Sequence, residues 1–207
     1  FGVSPQELKN AILPDGEFFD ARVSASGKWV FKGKRGSAVK EIKRTIEKFR
    51  GELLVEHDLL ELSKAAQGKG VGRRMLAEQF KVYKKMGVTK VTLLANIDVG
   101  GYAWARFGFK PANFVAADQI RDFVRERVED LFRLGEIDDA MLKGVTAILD
   151  SNDEMFLTRI AGIERRTKGR RKKIGKELLL GQDWRGLFDM NDPKQLQALT
   201  DYLGISL

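Results

Sequence analysis

Cysteine is absent from the 207 residues, and histidine occurs once, at His57. The first absence excludes disulfides, thiolate zinc sites and a cysteine nucleophile. The second excludes a histidine-rich metal centre, so no metal is expected. Any acid–base chemistry falls to His57, carboxylates, tyrosine or water. No apolar run approaches the length of a membrane span, and no signal-peptide pattern opens the chain. A cytoplasmic site of action, or delivery into a cytoplasm, is therefore expected, with no membrane partner. Position 1 is Phe rather than Met, which fits a processed or excised fragment.

Positive charge is what the chain has in excess: 37 Lys+Arg stand against 29 Asp+Glu, a formal net charge of +8. A surplus of that size suits a phosphorylated ligand or a polyanionic partner, and names neither. Hydrophobic residues at 43% and charged residues at 32% describe a globular protein with one sizeable core and room for an appended subdomain.

The most informative stretch is Gln67-Gly68-Lys69-Gly70-Val71-Gly72-Arg73-Arg74. It follows an apolar run, Leu53 to Leu62, and opens an amphipathic segment, Met75 to Met86. Closely spaced glycines let the backbone turn tightly and approach a ligand with no side chain in the way. At a helix start, free N–H groups and the positive dipole end attract an anion, and pyrophosphate is the natural guest. Lys69, Arg73 and Arg74 add positive charge there. Two phosphate loops are excluded. A P-loop ends in Gly-Lys-Ser/Thr, and no Ser or Thr lies between Gln67 and Gly87. The dinucleotide fingerprint needs a third glycine where Arg73 stands.

Downstream, Val88 to Asn96 is short, apolar and β-branched, and reads as a buried strand. Gly100 to Phe109 reads as a short helix closed by Gly108, followed by extended Phe109-Lys110-Pro111. The order is strand, glycine loop, helix, strand, short helix, Gly-Phe. Gln67, Gly70 and Gly72 stand at the positions of a Gln/Arg-x-x-Gly-x-Gly/Ala signature, and Asn96…Gly108-Phe109 supplies a matching ending. This arrangement resembles the core of the GNAT superfamily of N-acetyltransferases, from residue 51 to residue 111, and the likeness fades on both sides.

The resemblance implies an α/β (α+β) fold with a mixed, mostly antiparallel, splayed sheet flanked by helices, and acetyl-CoA as co-substrate. It places the pyrophosphate on the segment formed by Gln67, Gly68, Lys69, Gly70, Val71, Gly72 and Arg73. The pantetheine arm would run beside the backbone of Leu62 and Ser63. Asn96 matches a family position that contacts the cofactor or orients the acceptor, and Asp98 beside it could receive a cationic amine.

Acetyl transfer needs a base for the amine and an acid for the leaving thiolate. His57 lies on the strand before the loop, where this family commonly places its base. Glu56 competes, because partial burial raises a glutamate's pKa. Neighbouring strand residues face opposite ways, so at most one of them points into a cleft. Asp58 and Glu61 stand behind these two. For the acid, the family's usual tyrosine position is occupied by Trp104. Tyr102 lies two residues earlier, about 200° away around a helix. Either the helix starts differently and Tyr102 takes the role, or the thiolate leaves with solvent help. Equally, both rings could simply pack.

Outside this core, Ser4 to Leu13 reads as a capped helix, and Glu17 to Val23 and Lys28 to Lys32 as strands. Val39 to Phe49 fits a helix by period and a hairpin strand by layout, and the strand is preferred. Helical stripes follow at Ala116 to Leu134, Ile137 to Leu149 and Asp153 to Arg165. Leu178 to Phe188 would supply the last strand, and a final helix runs from Asp192-Pro193 to about Tyr202, before Gly204. Residues 1–114 with 177–207 thus form the expected core, and 115–176 a helical insertion. That insertion carries the charge run Arg165 to Lys173, read either as a solvated, mobile loop or as a phosphate-backbone contact. No aromatic interleaves it, so base stacking is not indicated.

The expected activity is acetyl transfer from acetyl-CoA to an amine on a large acceptor. An aminoacyl-tRNA, a protein lysine or a protein N-terminus lead, as for toxin- and effector-type members. The alternative is an inactive GNAT-fold module that binds nucleic acid or a larger assembly through its basic surface. A third reading is a structural domain of a larger polypeptide. Oligomeric state is not legible.

Overall fold

A computed structural model describes residues 2–95, 100–167 and 170–207. Its opening helix α1 (Pro5–Ile12) starts where Ser4 Oγ accepts from the Glu7 amide at 3.1 Å, with Pro5 in the first turn. An antiparallel meander follows: β1 (Glu17–Val23), β2 (Trp29–Arg35), β3 (Val39–Phe49) and β4 (Glu52–Leu62). Then come α2 (Val71–Met86) and β5 (Val88–Ala95), which runs parallel to β4.

The ambiguous segment from Val39 to Phe49 is a strand, as preferred. Two-residue alternation decides it. Ile42, Arg44 and Ile46 are all buried while Glu41, Lys43 and Glu47 are half-buried, and Thr45 is buried as well, at the step where the pairing register with β4 shifts. The turn to β4 is tight, with Arg50 and Gly51 both at positive φ (51° and 88°), as a two-residue hairpin loop requires.

The remaining elements are α3 (Gly100–Arg106), β6 (Lys110–Pro111), α4 (Phe114–Arg133), α5 (Asp139–Asp150), α6 (Phe156–Ala161), β7 (Arg165–Thr167), β8 (Arg170–Lys172), α7 (Ile174–Leu179), β9 (Trp184–Asp189) and α8 (Pro193–Leu203). The fold is α+β. A seven-stranded, mostly antiparallel open sheet has the order β1-β2-β3-β4-β5-β9-β6 and is flanked by helices, while β7 and β8 form a separate hairpin. Among the described residues, no helix is long and apolar enough to cross a membrane.

Two compact units divide the chain. The first comprises Phe1–Leu93, Asp189–Leu196 and Leu203–Leu207, and the second Leu94–Phe188 and Gln197–Tyr202. Within the first, Leu8 and Ile12 of α1, Phe80 and Tyr83 of α2, and Val55 and Val91 of the sheet are buried. Within the second, α4 buries Ile120, Val124, Val128 and Leu131, one stripe at helical spacing. Asn113 and Asp138 cap α4 and α5 through the amides of Ala116 and Met141, each at 2.9 Å.

The division falls inside β5. Helices α4–α7 share a unit with α3, β6 and most of β9, and the contacts explain why. Thr158 Oγ1 of α6 donates to the Ala105 carbonyl of α3 at 3.0 Å. Gly175 of α7 lies so close to α6 that a Cβ there would stand 2.1 Å from the Ile160 carbonyl oxygen. Two expectations change. Leu178 to Phe188 is not one strand, because Leu178 and Leu179 are buried at the end of α7 and the strand begins only at Trp184. The helix expected from Asp153 to Arg165 shortens to Phe156–Ala161, since Arg165 already belongs to β7.

Candidate cofactor-binding site

The glycine loop joins the end of β4 to the start of α2, all within the first unit. The chain leaves β4 through a turn in which the Ala66 and Gln67 amides donate to the Ser63 carbonyl at 2.9 and 3.1 Å. Gln67 Nε2 reaches back to the Leu62 carbonyl at 3.2 Å, and the Ser63 amide donates to the Ala38 carbonyl at 3.0 Å. Both groups that the family resemblance assigns to the pantetheine arm are thus engaged within the protein.

Gly68 and Gly70 each adopt φ of +74°, the left-handed region where a side chain is strained. Gly70 caps α2 without a side-chain hydrogen bond, and the first turn contains no acid. The 16-residue helix therefore presents its positive end uncompensated. Among the described hydrogen bonds, the amides of Gly68, Gly70, Val71 and Gly72 have no acceptor, whereas the Arg74 amide donates to the Gly70 carbonyl at 3.0 Å. Lys69, Arg73 and Arg74 are exposed around them. Four donors and a dipole end lie together in this segment, and an anion is the complementary guest.

Gly72 differs in kind from Gly70. A Cβ at Gly72 would meet Leu62 Cδ1 at 3.5 Å and Leu60 Cδ2 at 3.9 Å, ordinary contact distances. An alanine fits, in keeping with the Gly/Ala choice at that signature position.

The strand before the loop is irregular. Lys43 pairs with Leu59 but Thr45 with Glu56, so His57 and Asp58 together oppose Arg44 in a β-bulge. The β4–β5 pairing ends at His57↔Leu93. Beyond it, Asp58 to Leu62 have no β5 partner among the described residues.

Behind the bulge lies a buried polar cluster. Arg44, fully inaccessible to solvent (0% exposed), donates through Nε to Gln79 Oε1 at 3.0 Å. Its Nη1 donates to the carbonyls of Lys43 at 2.8 Å and Leu59 at 2.7 Å. Gln79 Oε1 also accepts from the Tyr83 hydroxyl at 3.3 Å, and Gln79 Nε2 donates to the Ile12 carbonyl at 3.0 Å. His57 Nε2 lies 3.1 Å from that hydroxyl. Burial, and secondarily the Arg44 cation, hold the His57 pKa well below the ordinary 6.5, so the imidazole is neutral. Burial also pushes the Tyr83 pKa up to about 12, against the pull of Arg44.

The pair of candidate bases separates as strand alternation requires. His57 is 3% exposed and faces Phe80 and Tyr83 of α2, while Glu56 is exposed on the opposite face. Asp58 is half-buried, and its Oδ1 accepts from Lys43 Nζ at 2.6 Å. Glu61 pairs with Lys40 at 2.8 Å on the surface. Tyr102 and Trp104 lie in the second unit. Burial raises the Tyr102 pKa, with Arg106 opposing, so the phenol keeps its proton. Trp104 packs against Phe107 and Phe109, with ring centroids 5.7 and 5.3 Å away. Asn96 and Asp98 lie outside the described residues.

The charge run is not the loop expected. Arg165–Thr167 and Arg170–Lys172 pair as a hairpin, with Lys168 and Gly169 outside the described residues. Three of its cations meet acids of the same unit. Arg165 lies 3.8 Å from Asp138 and donates to the Glu136 carbonyl, and Arg171 lies 3.7 Å from Glu164. Lys172 contacts Glu136 and, at 3.2 Å, Glu177.

Among the described residues, no group of three or more His, Asp or Glu could hold a metal ion. Comparison with models of protein families finds no match, and comparison with curated proteins finds none either. Function therefore rests on what these residues can do. Arg44, Gln79 and Tyr83 escape a sequence reading, although a signal exists. Arg44 interrupts the apolar row of Ile42 and Ile46, and Gln79 and Tyr83 stand four apart on the buried face of α2.

Proposed function

We propose that the protein is an acetyl-CoA-dependent N-acetyltransferase that acts on an amine of a macromolecular acceptor, protein or RNA. One observation carries the reading: four amides from Gly68 to Gly72 lack acceptors at the start of a helix with no acid in its first turn. Such a site suits the pyrophosphate of acetyl-CoA. The end of the β4–β5 pairing at His57↔Leu93 supports it, because a strand edge without a partner among the described residues can take an extended amide-bearing arm.

In the reaction, the amine lone pair forms a C–N bond to the thioester carbonyl carbon. The C–S bond breaks, the amine proton passes to a base, and the thiolate takes a proton. Glu56 is the exposed member of the candidate pair, and we assign it the base role, directly or through a water that it holds. The buried, neutral His57 supports the core instead. Tyr102, which retains its proton, is the candidate acid.

Calorimetric titration with acetyl-CoA, followed by turnover on candidate acceptors, tests the reading. Binding is expected, with Glu56→Gln lowering turnover about 100-fold and His57→Gln changing it only a few-fold in protein that stays folded. Failure to bind acetyl-CoA overturns the proposal. The second reading, an inactive module of the same fold, is favoured by the packing of Trp104 where the family has its tyrosine. Binding without turnover on any acceptor would select it.

A further inference from the structure

Arg44 is an unusual choice for its place. It stands between Ile42 and Ile46 on the buried row of β3, fully enclosed, with no carboxylate within ion-pair distance among the described residues, although the Asp58 charge across the bulge still acts on it. Its Nη2 has no hydrogen-bond partner of ordinary geometry among the described residues, and the nearby Tyr83 hydroxyl only partly compensates its charge. A buried charge with incomplete partners costs stability, and an apolar side chain of similar volume in such a place is often neutral or stabilising. A residue that breaks the local rule points to a role beyond packing.

The contacts indicate that role. Nη1 bridges the Lys43 and Leu59 carbonyls, one from each strand, at the step where the β3–β4 register changes. Nε holds Gln79, which belongs to α2. β4 leads into the glycine loop and α2 leads out of it. One guanidinium thus fastens the two elements whose separation sets the shape of the loop, and it grips β4 only three residues before Leu62, where that strand ends. It also secures the bulge after which β4 and β5 no longer pair.

We propose that Arg44 is a positioning residue: its guanidinium staples the bulged strand β4 to helix α2 and thereby preorganises the amides of Gly68 to Gly72 for the ligand's phosphates. This rests on the acetyl-CoA reading for the identity of the ligand, but not for the stapling itself. Preorganisation raises affinity by removing the ordering cost at binding.

The test compares the full chain with Arg44→Met, which fills the same space without donors. Acetyl-CoA affinity is expected to fall ten-fold or more while the melting temperature stays the same or rises. Amide exchange at Leu59 to Leu62 and at Ser63, Ala66 and Gln67, whose amides are bonded in the turn that leads into the glycines, should accelerate. A purely structural role predicts a lower melting temperature with affinity within two-fold of the parent, and that result overturns the proposal. Should Arg44→Met fail to fold, Arg44→Lys keeps the charge but cannot span Gln79 and both carbonyls, and the same loss of affinity is expected. A parent that binds no acetyl-CoA defeats the ligand assignment alone. Exchange then decides, and unchanged protection in the loop overturns the staple.

Discussion

The loop around Gly68–Gly72 and the hairpin around Arg165–Lys172 are both densely cationic in sequence, yet they treat their charge in opposite ways. At the hairpin, Glu136, Asp138, Glu164 and Glu177 from the same unit come within ion-pair distance of Arg165, Arg171 and Lys172. The Lys172 ammonium, donating first to Glu136, is held above its ordinary pKa. At the loop, no acid enters the first turn of α2 and four backbone donors have no acceptor. Charge density along a chain is therefore a poor guide to an anion site. The better guide is whether the fold itself answers the donors.

The sharpest attempt to break that contrast is at Gly70. Its φ of +74° strains any side chain, and an aspartate there would place a carboxylate against the donors. Gly70→Asp should remove detectable acetyl-CoA binding in calorimetry, with the far-UV circular dichroism retained. Gly72→Ala, whose methyl meets only Leu62 and Leu60 at ordinary distance, should bind within a few-fold of the parent. Equal binding by Gly70→Asp and the parent would mean that the unmatched donors are not the site.

Much of this loop was readable because its information is local. Glycine spacing, the apolar run of β4 and the amphipathic start of α2 lie in consecutive residues, whereas β3 fits a helix by period and reads as a strand only from the layout around it. What stayed hidden depends on partners distant in sequence. Glu136 and Asp138 meet Lys172 and Arg165 across more than two dozen residues, so the run looked like a free loop. Arg44, Gln79 and Ile12 come from three separate elements, and no periodicity announces that they meet. Leu178 and Leu179 look like strand residues because burial alone does not distinguish a short helix from a strand.

The contrast between answered and unanswered charge extends into the core, where His57 must stay neutral beside Arg44. In the folded chain its pKa lies well below 6.5, chiefly through burial. The unfolded chain takes up that proton near pH 6.5 and the folded chain does not, so the unfolded state binds more protons as pH falls. The stability due to neutral His57 is complete above that value and is lost below it, by up to about 1.4 kcal/mol per pH unit. Urea unfolding at about pH 7.5, 6.5 and 5.5 reads this slope, above the range where most carboxylates titrate. His57→Phe, which keeps a ring against Phe80 and Tyr83, should flatten it. An identical slope in that variant would show that another group carries the pH dependence.

The smallest effect is expected at the hairpin, and it tests the other side of the contrast. Replacing Arg171 and Lys172 with serine removes the ion pairs to Glu164, Glu136 and Glu177. Such pairs near the surface each contribute at most about 1 kcal/mol, so the variant should lose stability of that order in chemical denaturation. Acetyl-CoA affinity should not change, because the glycine loop belongs to the other compact unit. Any binding of RNA should keep its dependence on salt, since cations already answered by internal acids have few counterions to release. The measurement is affinity for a single-stranded RNA across a range of salt concentrations. Phosphate contacts made by these side chains would give a log–log slope that falls by roughly one unit for each side chain removed. That outcome would show Glu136, Glu164 and Glu177 giving up their cations to a polyanion, and the hairpin would join the loop as a candidate anion site.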